Sequence, residues 1–131
     1  MQIKPYWQNY INGEFVDAAN RLKIENPADG SDLAEIAQAS AGDISRAVDA
    51  ARACHESGVL TDMRPVELGR MVRGIGDWIL DHKDRIAEVL TLEAGKPYWE
   101  SLIEVEGAAR YFEYYGNQAE TVEGRSIPLG K

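Results

Sequence analysis

The chain has 131 residues, 44% apolar and 27% charged, a soluble-domain composition that argues against a disordered tail or a disulfide scaffold. Its 14 basic and 22 acidic residues leave a net charge of −8, so surfaces that neutralise phosphates are disfavoured, and neither nucleic acid nor anionic membrane is an expected partner. Apolar runs are far shorter than the ~20 residues that cross a bilayer. No basic stretch followed by an apolar run opens the chain, and Cys54 is its single cysteine, so a reducing, cytoplasmic setting is expected.

In chain order, residues 9–39 read as short strands and turns. Asn12-Gly13 between the β-prone residues Tyr10, Ile11, Phe15 and Val16 predicts a hairpin, with Asp17 to Asn20 as a competing turn. Arg21 to Glu25 predicts a further strand, Asn26-Pro27-Ala28-Asp29-Gly30 a turn, and Leu33 to Ala39 another strand. The period changes at Ser40, where Ser40-x-x-Asp43 is a capping pattern and Ile44, Ala47, Val48 and Ala51 recur at helical spacing. This first helix runs to about Glu56, and Ser57-Gly58 ends it.

Arg64-Pro65 opens a second helix whose apolar stripe is Leu68, Met71, Val72, Ile75 and Ile79, interrupted at Asp81 to Asp84. A third helix carries Ile86, Val89 and Leu90 and is stopped by Gly95 and Pro97. A long fourth helix, ending near Gly124, places Leu102, Val105, Ala109, Phe112 and Ala119 on one side and leaves Glu100, Glu104 and Glu113 to solvent. Residues 125–131 have the length for the start of an edge strand, with Pro128 limiting it. The expected class is α+β: an N-terminal β-hairpin and short strands (9–39), then four helices (41–123), in one segment over 1–131.

Residues that could carry chemistry are few. Gly74-x-Gly76 lacks the third glycine and the preceding strand of a dinucleotide fingerprint and lies in a helical stripe, so helix packing is the favoured reading. Cys54 and His55 are neighbours on a helix and point about 100° apart, which suits a bland thiol better than a nucleophile and base. His82 has no second His or Cys at metal-ligand spacing. Glu93, in the last turn of the third helix, faces the negative end of the helix dipole and calls for a cationic neighbour, either Lys96 or a bound monovalent cation. Tyr98, Trp99, Tyr111, Phe112, Tyr114 and Tyr115 spread round the fourth helix, and packing is the favoured reading over a partner surface or a ligand passage.

Together, Tyr10-Ile11-Asn12-Gly13-Glu14-Phe15, Glu25-Asn26-Pro27-Ala28-Asp29-Gly30 and Leu92-Glu93-Ala94-Gly95-Lys96-Pro97 resemble, in order and spacing, the opening of NAD(P)-dependent aldehyde dehydrogenases. Ala47-Val48-x-Ala50-Ala51 and Gly124-Arg125-Ser126-Ile127-Pro128 are similar to further landmarks of that family. The resemblance implies an N-terminal, partial piece of the family's α/β fold, packing beside a Rossmann-like cofactor domain, with Gly124 to Lys131 leading toward an oligomerisation flap. It implies that an enzyme cysteine attacks an aldehyde, hydride passes to NAD or NADP, and water releases a carboxylic acid. The catalytic cysteine, general-base glutamate, oxyanion asparagine and cofactor-binding lysine would lie beyond this segment. No catalytic or cofactor-binding residue is therefore assigned here, no cofactor is expected for the chain alone, and it is expected to be inactive by itself.

The resemblance carries two lesser assignments: a monovalent cation between the backbone at Ile24 and Glu25 and the acid Glu93, and an aldehyde-tunnel entrance at Gly107 and Tyr111. Gly58 to Arg64 departs from the family's tryptophan-containing linker, which leaves the substrate open. The expected partners are the remainder of the enzyme or a full-length subunit, in a homo-oligomer. A fragment reading predicts exposed apolar faces and self-association. The alternatives are a natural short interaction module for full-length subunits and an unrelated small α+β ligand-binding protein.

Overall fold

The computed structural model describes residues 3–130. The hairpin is formed by β2 (Asn9–Ile11) and β3 (Glu14–Val16), joined by Asn12 (φ 52°) and Gly13 (φ 83°). Two left-handed residues give the turn a twist matching its strands, hence Asn-Gly here. Tyr10 faces Phe15 across the register, with ring centroids 5.1 Å apart. A second sheet joins β4 (Asn20–Glu25) antiparallel to β5 (Asp32–Gln38), with a bulge at Ile24/Glu25. The Asn26 turn between them is closed by Gly30 N–H donating to Asn26 O at 2.8 Å and Asn26 N–H to Ser31 O at 2.8 Å. Arg21 meets Glu35 at 3.1 Å and Lys23 meets Asp32 at 3.0 Å across this pair. The sequence reading missed β1 (Tyr6–Trp7), which adds to the sheet parallel to β5 in the order β1-β5-β4.

The helices are α1 (Ala41–Glu56), α2 (Pro65–Asp81), α3 (Lys83–Ala94) and α4 (Tyr98–Gln118). Ser40 and Asp43 close a reciprocal capping box at α1, Pro65 occupies the first turn of α2, and Gly95 ends α3 at φ 70° with its N–H on Thr91 O at 2.9 Å. α4 stops earlier than expected: Gln118 is followed by one 3-10 turn over Ala119–Thr121. Residues 125–130, where the start of a strand was expected, carry no regular structure, and no described strand lies beside them to pair with. Lys131 lies outside the described residues.

α2 and α4 cross closely because glycines remove the side chains between them. A Cβ on Gly69 would stand 2.5 Å from Gly116 O, one on Gly76 2.8 Å from Ala109 O, and one on Gly116 2.6 Å from Arg73 Cγ. Gly74-x-Gly76 is thus helix packing, with Gly74 pointing into open space. The helical core is small: Ala87, Val105, Ala109 and Ser101 are buried, Thr91 Oγ1 donates to Ser101 Oγ at 2.9 Å, and Ala37 is the buried apolar residue of the sheet.

Much apolar surface stays outside. α1 leaves Ile44 and Val48 more than half exposed, and Met71 and Ile75 of the expected α2 stripe are also open. A compact monomer of 14.5 kDa should expose roughly 6,900 Å², whereas this chain exposes 10,034 Å². The excess of about 3,000 Å² is the scale of an obligate interface.

The α1 cap gives a pH-dependent contribution. Asp43 accepts from Ser40 Oγ at 2.6 Å and Ser40 N–H at 2.8 Å and pairs with Arg46. The Ser40 hydroxyl and amide, with Arg46 beside them, hold the Asp43 carboxyl below its ordinary value. A carboxyl depressed in the folded state stabilises fully above its unfolded value, near 4, and loses that contribution as pH falls through the folded value. Ser40→Ala is expected to cost about 1 kcal/mol in urea unfolding at neutral pH. Asp43→Asn should flatten the acid limb of stability against pH; an unchanged limb would exclude Asp43 as its source.

Candidate functional site

One exposed face of α4 carries a ridge at strict i+4 spacing: Trp99, Ile103, Gly107, Tyr111 and Tyr115. The large members are all more than 60% exposed. Packing within the described residues does not cover these aromatics, because the opposite side of α4, through Ser101, Val105, Ala109 and Gly116, is the one that meets other described residues. A groove of about 410 Å³ follows the ridge, lined by Gly107, Arg110, Tyr111, Tyr114 and Tyr115. Gly107 and Tyr111 therefore share one wall, as one-turn spacing requires. Tyr114 and Tyr115 meet edge to face at 5.2 Å. Every lining residue comes from α4, so the described residues build one wall and leave the facing side open. Arg110 was not singled out in the sequence; its position within an aromatic run of a solvent-facing helix was the available signal.

A second groove, of about 290 Å³, lies between the sheet and α3 and is bordered by Ile24 and Glu93 with Trp7, Leu33, Ile36 and Val89 among its apolar walls. Glu25 does not line it. Lys96 is not the counter-charge for Glu93: its Nζ lies 2.5 Å from Glu104 Oε1. A lysine just past the Gly95 turn reaches along the first turns of α4 more readily than back to α3. A cation prefers several oxygens, and Glu93 is the one charged group on these walls, so the described residues fit only part of a donor set. Glu93 is held near the sheet by the turn packing, since Gly95 lies against Pro27.

The other candidates stay apart from both grooves. Cys54 is an exposed free thiol on α1. His82 stacks on Trp78 at 4.0 Å and its Nδ1 lies 2.8 Å from Trp78 O, at the junction of α2 and α3. Of the carboxylates expected in solvent, Glu104 pairs with Lys96; Glu106, on the same helix, meets Lys83 at 2.8 Å.

The sequence profile of the aldehyde dehydrogenase family matches residues 15–131, nearly the whole chain. The chain belongs to the aldehyde dehydrogenase family. It is 36% identical over 124 residues to the mitochondrial aldehyde dehydrogenase family 2 member B4 of Arabidopsis thaliana, covering 92% of this chain and 23% of that protein. It is 30% identical to the cytosolic 10-formyltetrahydrofolate dehydrogenase of Xenopus laevis, covering all of this chain and 15% of that one. Among solved structures, an aldehyde dehydrogenase from Bacillus cereus superposes with a TM-score of 0.90 at 30% identity, over 100% of this chain and 29% of its own. A betaine aldehyde dehydrogenase from Staphylococcus aureus, in complex with NAD+, gives 0.88 at 31% identity, over 92% of this chain and 25% of its own. The chain thus spans less than a third of these aldehyde dehydrogenases and corresponds to an N-terminal segment of the family fold.

Proposed function

We propose that this chain forms the N-terminal scaffold of an enzyme that oxidises an aldehyde to a carboxylic acid with NAD(P)+, and that the remaining polypeptide covers its open faces. The observation that carries the reading is the surplus of about 3,000 Å² of accessible surface, with apolar residues of α1, α2 and α4 prominent in it. An area of that size is stable when covered and drives association when bare. NAD(P)+ would supply the hydride acceptor, held by residues outside this segment. The attacking cysteine would also lie outside it, since Cys54 lines neither groove.

Within that enzyme, Gly107 and Tyr111 form part of one side of the aldehyde entrance, supported by their shared groove. The main chain at Ile24 and Glu25, with the Glu93 carboxylate, supplies part of a monovalent cation site, supported by Ile24 and Glu93 bordering one groove. The enzyme is a homo-oligomer of the cytoplasm, a setting that suits the exposed free Cys54.

The isolated 131-residue chain should form no NAD(P)H from aldehydes, and its sedimentation coefficient should rise with concentration. Ile103→Lys with Tyr111→Lys should reduce that association. An antibody against the chain should detect, in its native source, a species several times heavier that oxidises aldehydes. A native species of 131 residues that co-purifies stoichiometrically with a full-length dehydrogenase would replace this reading with that of an interaction module, and a stable monomer with no partner would end both.

A further inference from the structure

We propose that Asn12 is a site of spontaneous succinimide formation, converting the hairpin tip to a mixture of aspartate and isoaspartate as the protein ages. In the step, the Gly13 main-chain nitrogen loses its proton to water or hydroxide and attacks Asn12 Cγ. A C–N bond forms, the Cγ–Nδ2 bond breaks as Nδ2 takes up a proton and leaves as ammonia, and water opens the five-membered imide at either carbonyl. The net change is loss of ammonia and gain of water, with no change of oxidation state.

Three observations select Asn12. Both Asn12 and Gly13 are exposed at a loop tip, where modification concentrates. Gly13 has no side chain to shield its nitrogen, and nothing lies within 4 Å of where a Cβ would stand. The Asn12 carboxamide makes no side-chain hydrogen bond among the described residues.

The other candidate positions are each held. Asn9 and Asn20 lie in paired strands before Tyr10 and Arg21. Asn26 precedes Pro27, which has no N–H to lose. Asn117 is helical and accepts from Arg73 Nη1 at 3.0 Å. Asp29, before Gly30, could form the same imide, but its carboxyl accepts from Ser31 Oγ at 2.6 Å and Ser31 N–H at 3.0 Å. Those bonds keep it ionised, and an ionised carboxylate is a poor acceptor for the nitrogen.

The isoaspartate product adds one carbon to the main chain of a two-residue turn. The register Asn9↔Val16, Tyr10↔Phe15 and Ile11↔Glu14 then loses the turn geometry that fixed it. Modification should therefore weaken the Tyr10 to Phe15 contact.

The test is to hold the folded chain at mildly alkaline pH and follow each asparagine by peptide mapping, with enzymatic methylation marking isoaspartate. Asn12 should convert roughly tenfold faster than Asn9, Asn20, Asn26 or Asn117, and should yield isoaspartate as well as aspartate. Asn12→Gln should abolish the isoaspartate signal from that peptide. Conversion no faster than at the other asparagines, or conversion only in urea, would overturn the proposal, the latter because it would mean that the turn protects the site.

Discussion

Gly76→Val is expected to destabilise the chain by about 3 kcal/mol, since overpacking a closed contact forces backbone to move. A Cβ at Gly76 would lie 2.8 Å from Ala109 O and 3.3 Å from Phe112 Cβ, so the nearest obstacle is main chain and cannot rotate away. Even Gly76→Ala should lose stability, because the helix-propensity gain of about 1 kcal/mol is smaller than the cost of separating α2 from α4. Gly74→Ala is the control: it lies on the same helix with nothing within 4 Å, and should gain stability instead. Urea unfolding of the variants decides the matter. A gain of stability at both Gly74→Ala and Gly76→Ala would mean that propensity, not the helix crossing, governs these glycines.

Gly95→Ala should cost about 2 kcal/mol, the sum of a left-handed backbone and a crowded one. Gly95 has φ 70°, and its Cβ would stand 2.8 Å from Pro27 Cγ. Gly30 shares the conformation, φ 72°, but has open space around it. Gly30→Ala therefore measures the backbone part alone and should cost less. Pro27→Ala should recover the difference in Gly95→Ala, and a double-mutant cycle with no coupling would show that the turn and the α3 terminus do not communicate. The coupling has functional weight, because this contact joins the Asn26 turn, just beyond Ile24, to the end of α3, where Glu93 sits.

The parts of the fold that the sequence displays are those specified locally. Ser40 with Asp43, Pro65, and Gly95 before Pro97 each mark a helix end through bonds or dihedrals of neighbouring residues, and the observed boundaries follow them. Asn12-Gly13 likewise marks its hairpin. β1 escaped because two residues have no period, and its pairing with Glu35 and Ile36 is set by tertiary approach. The same limit applies to the candidate site. One-turn spacing put Gly107 and Tyr111 together, but periodicity could not tell that Trp99, Tyr111, Tyr114 and Tyr115 face outward while Phe112 faces α2, because α4 is apolar on more than one side. The partner of Lys96 was not legible for a related reason: Glu93 and Glu104 are both near in sequence, and only the chain reversal at Gly95 decides between them.

The parallel alignment of β1 with β5 bears on the order in which the molecule assembles. Tyr6 and Trp7 can meet Glu35 and Ile36 only after the hairpin and β4 have carried the chain back, so this pairing closes a long loop for two residues of ladder. α2 and α4 also meet across long stretches of chain, Gly76 against Ala109 and Gly69 against Gly116, but those contacts fix two whole helices rather than two residues. The amino-terminal strand therefore gains the least ladder for the loop it closes, and it should be the first element to peel away.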